Sequence, residues 1–478
     1  VRIALINTNR IRPPIAPIGL EYLAETLAHE GYEPQLLDLC WEDDWKAGMA
    51  RFFGEREYDV VGFSLRNTDD CAYTSRHSFM PEFLDMIRFA RGLSGGLLVV
   101  GGVGFSTLPG AVLEACGADA GVHGQGEEAM LALLRCLERG RSWRNMPGIL
   151  LPDRPKDYRP PRPTAGRAEL PAMSRRWLDN ARYFREGGQA GIETKRGCPW
   201  RCTYCCEPLA KGTSVQARDP GKVAEELGAL LEQSIDHIHT CDSEFNLPPE
   251  HGLEVCREIA SRGLGDRLRW YAYCTPVPFS RELARSMREA GCVGINFGAD
   301  SGDPDMLGRL GRGYGPEQIL DTVRYCRDEG ITVMLDLLFG APGESAESIE
   351  RTIELVKRSG AACFGISTGV RVWPGTPIAR TVRHGALGEG LVGEKNPLDP
   401  VFFIEPSLGE GIFDHIDRRI GGDERFFFFN PNNADQNYNY NGNEVLMQAI
   451  ECGYRGAYWD ILRRLASLPE RSGRAERQ

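Results

Sequence analysis

Short apolar runs and amphipathic stretches take turns along most of this chain. In residues 1–150 the apolar runs fall at 2–7, 35–39, 59–65, 97–100 and 120–123, each of strand length. Between them, 19–29 and 83–93 place apolar residues three and four apart, as a helix with one buried face does. Gly31 stands where the first of these helices needs its C-terminal cap. Strands and helices alternating in this way predict a doubly wound parallel sheet, whose ligand lies beyond the carboxyl ends of the strands. The residues at those ends are Asn7, then Leu65, Arg66 and Asn67, then Gly101, Gly102, Val103 and Gly104, then Gly124 and Glu127.

Arg and Pro crowd together at 159–163, so 151–190 is predicted to be a linker crossing the surface. A second alternating series follows, with apolar runs at 192–194, 237–241, 268–273, 294–298, 332–338 and 365–372. Helical patterns such as 221–233 and 280–290 separate them. Six β/α repeats over 191–375 predict an open, partial barrel rather than a closed eight-stranded one. From 376 to 478 the periodicity degrades. The phenylalanine run at 426–429 and the Asn-rich 430–443 suit neither helix nor strand, and predict a small capping region near a mouth. The fold class is α/β, with no repeat of fixed period.

Composition narrows the function. Of 478 residues, 42% are hydrophobic and 26% charged, as in an ordinary globular protein. No apolar run reaches the roughly 18 residues of a membrane helix. The net charge of −11 argues against a broad nucleic-acid surface. The opening apolar run has no basic segment before it, so no signal peptide is expected and the location is cytoplasmic. Fifteen cysteines, odd in number and irregular in spacing, make a poor disulfide framework. Reduced thiols are expected, some of them binding metal.

The strongest chemical signal is Cys198-Pro199-Trp200-Arg201-Cys202-Thr203-Tyr204-Cys205. Three thiols at spacings of four and three can hold three irons of a [4Fe–4S] cube and leave the fourth open to a substrate. Zinc is the rival, although it needs a fourth ligand and usually paired Cys-x-x-Cys knuckles. Cys206, next to Cys205, cannot turn comfortably to the same cube.

This loop, with an aromatic residue (Tyr204) before its last Cys, resembles the cluster loop of the radical S-adenosylmethionine (SAM) enzymes. The resemblance implies that Cys198, Cys202 and Cys205 hold the cluster and that SAM chelates the open iron. It continues through 242–246, where Asp242 and Glu244 would face the methionine part of SAM. Asp300 and Ser301 resemble the ribose-contacting segment, where the family more often has Glu at the first position. The stretch 338–344 with Gly340 resembles the motif beside adenine, and 370–377 with Arg371 resembles the sixth-strand ending.

The front half resembles the Rossmann-like cobalamin-binding domain that precedes this barrel in one large subfamily, through 17–24 with Gly19, the Gly101–Gly104 run and Gly124 to Glu127. A dinucleotide is the other ligand such a sheet takes, but no Gly-x-Gly-x-x-Gly follows the first strand. The Asp-x-His-x-x-Gly loop of many cobalamin proteins is absent, and His29, His77 and His123 stand in unrelated contexts. No protein His is therefore expected on cobalt. Arg66 is placed to approach the lower face instead; it could also simply pair with Asp69 or Asp70.

The resemblance implies a class B cobalamin-dependent radical SAM C-methyltransferase. It would pass a methyl group from SAM through methylcobalamin to an unactivated or aromatic carbon of a small natural-product substrate, as in heteroaromatic methylations of antibiotic biosynthesis. Transfer could be radical, or polar with an electron-rich ring carbon attacking the methyl group. The alternative is a non-methylating relative that cyclises or rearranges its substrate. Arg66, Glu244 and Tyr273 are the candidate catalytic residues; Tyr271, Tyr273 and Trp373 could line an aromatic pocket. An external flavodoxin- or ferredoxin-type electron donor and a monomeric state are expected, with neither nucleic acid nor membrane as partner.

Overall fold

The opening apolar run is strand β1 (Ile3–Asn7), buried at every position. Its side chains alternate: Ala4 and Ile6 enter one core, Ile3 and Leu5 the other, as a sheet covered on both faces requires. The computed structural model describes residues 1–154, 166–167, 170–383, 385–393, 396–432 and 439–467. β1 sits in a six-stranded sheet with β2 (Gln35–Asp38), β3 (Val60–Ser64), β4 (Leu97–Gly101), β5 (Ala120–Val122) and β6 (Ile149–Leu150). The order is β2-β1-β3-β4-β5-β6, parallel except for β6. The order reverses between β1 and β3, so the crevice for a ligand opens at the ends of those two strands.

The second sheet has seven parallel strands: β7 (Ala190–Ile192), β8 (His237–Thr240), β9 (Arg269–Cys274), β10 (Cys292–Asp300), β11 (Thr332–Phe339), β12 (Cys363–Thr368) and β13 (Phe426–Phe427). They lie side by side in chain order, with β7 and β13 at the open edges. Helices cover the outside, started by short polar side chains that satisfy their first N–H groups. Asp219 caps Pro220–Glu232, Ser280 caps Arg281–Glu289 and Ser345 caps Ala346–Ser359.

Two expectations change. The phenylalanine run supplies β13, a seventh strand paired with Phe364 and Gly365, instead of belonging wholly to a capping loop. A two-residue strand is too short for alternation to reveal. The second half of the expected linker is not on the surface either. Arg175 is 1% exposed and pairs with Glu21 (3.0 Å) of the front domain and Glu226 (2.9 Å) of the barrel. Tyr22 joins the same network, donating to Glu226 (2.8 Å) and accepting from Arg218 (3.1 Å). The Arg/Pro run 159–163 lies outside the described residues, as does 433–438 of the Asn-rich stretch. Among the described residues no helix is long and apolar enough to cross a membrane.

Candidate functional site

After β7 the chain forms a short antiparallel rung, Lys195–Arg196 against Gln216–Ala217, and then enters the cysteine loop. Gly197 has φ +89°, and a Cβ there would lie 2.2 Å from the Ser214 carbonyl, so glycine is needed for the loop to leave the rung. The Cys198 N–H donates to Gly212 O (3.1 Å) and the Thr203 N–H to Leu310 O (2.9 Å), which pins the loop.

Cys198 and Cys202 are buried, Cys205 is half-buried, and none is in a disulfide. Cys202 feels the charge of Cys198, and Cys205 that of Cys202, so the three share a small space. Burial pushes all three thiols up, Cys202 to about 11, so they stay protonated until a metal's charge displaces the protons. Among the described residues no three His, Cys, Asp or Glu converge on a single ion, as a lone zinc would require. A cube with a separate iron for each thiolate does not need that convergence, so the donor set fits [4Fe–4S]. Cys206 turns away and packs on the front core.

Glu244 does not line the cavity described below. Its charge is felt by Cys198 and Cys202, and burial pushes its carboxyl up to about 8. Asp242 is spent on the fold. Its carboxylate accepts from the Thr194 N–H (2.7 Å) and hydroxyl (2.6 Å) and from Lys195 Nζ (3.2 Å), which leaves little for the amine of SAM.

A cavity of about 770 Å³ joins the carboxyl ends of the front sheet to the mouth of the barrel. Gly19, Arg66, Asn67, Gly101, Gly102, Val103 and Gly124 line its front side. Gly102, at φ +100°, would bring a Cβ within 2.5 Å of the Leu65 carbonyl. The bare backbone here leaves a broad, flat surface that fits a macrocycle such as cobalamin. Glu127 also lines the cavity but accepts from Arg196 (2.8 Å). Three expected contacts do not reach it. Asn7 donates to Asp38 (2.7 Å) and Tyr183 (3.2 Å); the Leu65 side chain lies in the core; Gly104 is pressed against the backbone of Arg66 and Asn67.

Among the described residues Arg66 has no ion pair. Asp69 is taken by Arg371 (2.8 Å), and Asp70 by Ser75 and Asn439, so the expected alternative of a surface pair fails. The charge of Arg66 reaches Cys241, Tyr273 and Tyr458 across the cavity. No histidine of the front domain lines this space: His123 bonds the backbone of Ser106 and Leu209, and His77 packs on Phe79 (5.1 Å).

The structure does not bring Tyr204, Asp300, Ser301, Gly340 or Arg371 to the cavity. Their polar atoms are satisfied inside the protein. Asp300 accepts from Tyr204 (2.7 Å) and from Arg312 Nε (2.6 Å), a partner the sequence did not indicate. The Ser301 hydroxyl is 3.1 Å from that of Thr352. Gly340 turns the chain at the end of β11 with φ +92°. Arg371, bound to Asp69, also donates to the carbonyls of Val372 (3.0 Å) and Val401 (3.1 Å).

Of the three aromatic candidates, Tyr273 lines the cavity and is 44% exposed. Tyr271 donates to Asp460 (3.0 Å) beneath Trp459, and Trp373 lies under the Arg371 guanidinium (4.1 Å). Sequence reasoning missed His239, Asn296, Asp336, Tyr458 and Trp459, all of which line the cavity. The signal for the first three was present: polar side chains within runs otherwise apolar enough to be buried strands. Asn439, Tyr440 and Asn441 line the cavity as well.

Two family models match the chain, the Radical SAM superfamily over residues 192–356 and the B12 binding domain over residues 5–134. A tryptophan 2-C-methyltransferase of Streptomyces laurentii is 31% identical, the alignment covering 96% of this chain and 95% of that protein. Among solved structures, the radical S-adenosylmethionine methyltransferase TsrM from Kitasatospora setae, with tryptophan substrate and the SAM analogue aza-SAM bound, is 31% identical. It superposes with a TM-score of 0.89 over 97% of each chain. TsrM with cobalamin and a [4Fe–4S] cluster bound gives 29% identity and a TM-score of 0.86, covering 97% of this chain and 98% of that one.

Proposed function

The chain belongs to the cobalamin-dependent radical SAM methyltransferases, and from that membership we propose that it methylates a ring carbon of a free aromatic amino acid, C2 of tryptophan being the first candidate. One observation carries this reading: the glycine-lined end of the front sheet and the polar, aromatic interior of the barrel open into the same cavity. A ring held against Tyr273 and His239, whose own rings are 4.7 Å apart, would face the front domain with no protein wall between. When bound, cobalamin supplies a metal that carries a methyl group, and the cluster an electron-transfer centre open to SAM.

The chain's own residues do the rest. Gly101, Gly102 and Gly124 would admit the macrocycle, and Arg66, which lines the same side of the cavity, has no lone pair to offer its metal. Cys198, Cys202 and Cys205 would hold the cluster, and the 439–441 and 457–459 segments, which line the cavity, would exclude water. The same reading includes a flavodoxin- or ferredoxin-type electron donor, a monomeric enzyme and a cytoplasmic setting.

The test is incubation of the reconstituted enzyme with methyl-labelled SAM and tryptophan, followed by mass spectrometry and NMR of the product. The label is expected on a ring carbon. Label on nitrogen, or its absence from every aromatic amino acid offered, would overturn the reading.

A further inference from the structure

The carboxylates that line the cavity are nearly all accounted for. Glu127 and Glu193 pair with Arg196, Glu207 with Lys211 and Asp242 with Lys195. Asp70 has no cation partner among the described residues but accepts from the Ala72 N–H (3.2 Å), Ser75 and Asn439. Asp336 is the exception. It accepts a single hydrogen bond, from Asn296 Nδ2 (2.8 Å), and no cation lies within ion-pair distance among the described residues. Asn296 is 4% exposed, and its own Oδ1 has no partner among the described residues.

The cations nearby cannot supply the charge. Lys211 and Arg196 are already paired, and Arg66 is not among the charges that Asp336 feels. Burial without a counter-charge pushes the Asp336 carboxyl up to about 7, the cost of holding a carboxylate in the barrel with only an amide beside it. An acceptor pair left this way, Asn296 buried and Asp336 half-buried at the cavity wall, suits a ligand that brings a positive charge and several N–H donors.

Position separates this pair from the SAM motifs. Asn296 is four residues before Asp300 on β10, about 13 Å deeper along the strand at roughly 3.3 Å per residue. In the sheet register Asn296 lies beside Tyr273, so the two side chains share a face. A flat ring against Tyr273 and a charged group on Asn296 and Asp336 can therefore belong to one small molecule.

We propose that Asn296 Oδ1 and the Asp336 carboxylate bind the α-ammonium group of the amino-acid substrate. This rests on the proposed function, an aromatic amino acid as the molecule methylated. Asp336 and Asn296 are positioning residues: they hold the substrate by its backbone nitrogen so that the ring, not the side-chain stem, reaches the front of the cavity.

The test compares Asp336→Asn with wild type as holoenzymes, measuring dissociation constants for tryptophan, for indole-3-propionate, which lacks the amine, and for SAM. Tryptophan is expected to bind at least about tenfold more weakly to the variant, the loss of a charge-assisted contact. Indole-3-propionate and SAM should bind within about twofold of wild type. Unchanged tryptophan binding would overturn the assignment while leaving the proposed function intact. Equal loss of both indole compounds would mean a structural role, and loss of SAM alone would mean that the ammonium held is that of SAM; either overturns it. A wild type that binds no tryptophan, or prefers indole-3-propionate, removes the aromatic amino acid and this inference with it. If Asp336→Asn does not load its cofactors, Asn296→Ala serves, with a smaller loss expected but the same selectivity for the amine.

Discussion

Arg66 has five N–H donors and no lone pair, so it can fill the space beneath a metal without becoming its ligand. Wild-type cob(II)alamin bound to the protein should therefore give an EPR spectrum free of axial-nitrogen superhyperfine splitting. Arg66→His should introduce that splitting, and Arg66→Lys should admit water as a fifth ligand. Both should lose methyl transfer more than cobalamin methylation. Wild-type spectra and turnover in both variants would reduce Arg66 to a bystander. At the cluster, replacing Cys198, Cys202 and Cys205 together with Ala should abolish the iron–sulfur absorption and leave cobalamin bound, while Cys206→Ala should keep the cluster. A cubane signal surviving in the triple variant would exclude these ligands. The cysteine spacing was legible because a loop of eight residues contains the whole donor set. Asn7, Asp242 and Arg371 were not, since a polar residue at a strand end looks the same whether it faces a ligand or a partner far along the chain. Arg371 meets Asp69, and Asn7 meets Tyr183, across separations no local pattern displays.

Among the elements, helix Ala346–Ser359 and the turn before it carry a pH dependence. Glu344 is 2% exposed, with one carboxylate oxygen unpartnered, and burial pushes its carboxyl up from 4.5 to about 7. A raised carboxyl means the folded state holds the proton more tightly than the unfolded chain. Its contribution to stability is therefore complete below 4.5 and is lost as pH rises through about 7. Glu344→Gln escapes that loss. Between about pH 5 and pH 8 its stability advantage should widen by an amount on the order of 2–3 kcal/mol, read from urea unfolding. Parallel curves for the two proteins would show that Glu344 ionises freely. The longer strands were legible because each is a buried apolar run between capped helices. β13 was not, for its two residues follow a helix–loop segment with no such framing.

The molecule as a whole works as two sheets facing across one cavity, and their docking is polar. Tyr22, Glu21, Arg175, Arg218 and Glu226 lie buried together where the front domain meets the barrel. Such a network fixes register more than it adds net stability, since desolvation offsets much of the attraction. The stretch 17–24 shows how far sequence alone reaches. It was legible as one motif, yet Gly19 faces the cavity while Glu21 meets Arg175 of the linking segment and Tyr22 meets Glu226 of the barrel. A shared cavity makes a demand on the chemistry: the methyl group must pass from the front domain to the substrate within one molecule. Enzyme carrying radiolabelled methyl on its cobalamin, given tryptophan and an excess of unlabelled SAM, puts this to a single-turnover test. The label should appear on a ring carbon of the first equivalent of product and be missing from later equivalents. Label that stays with the cobalamin while unlabelled product accumulates would contradict transfer across the cavity.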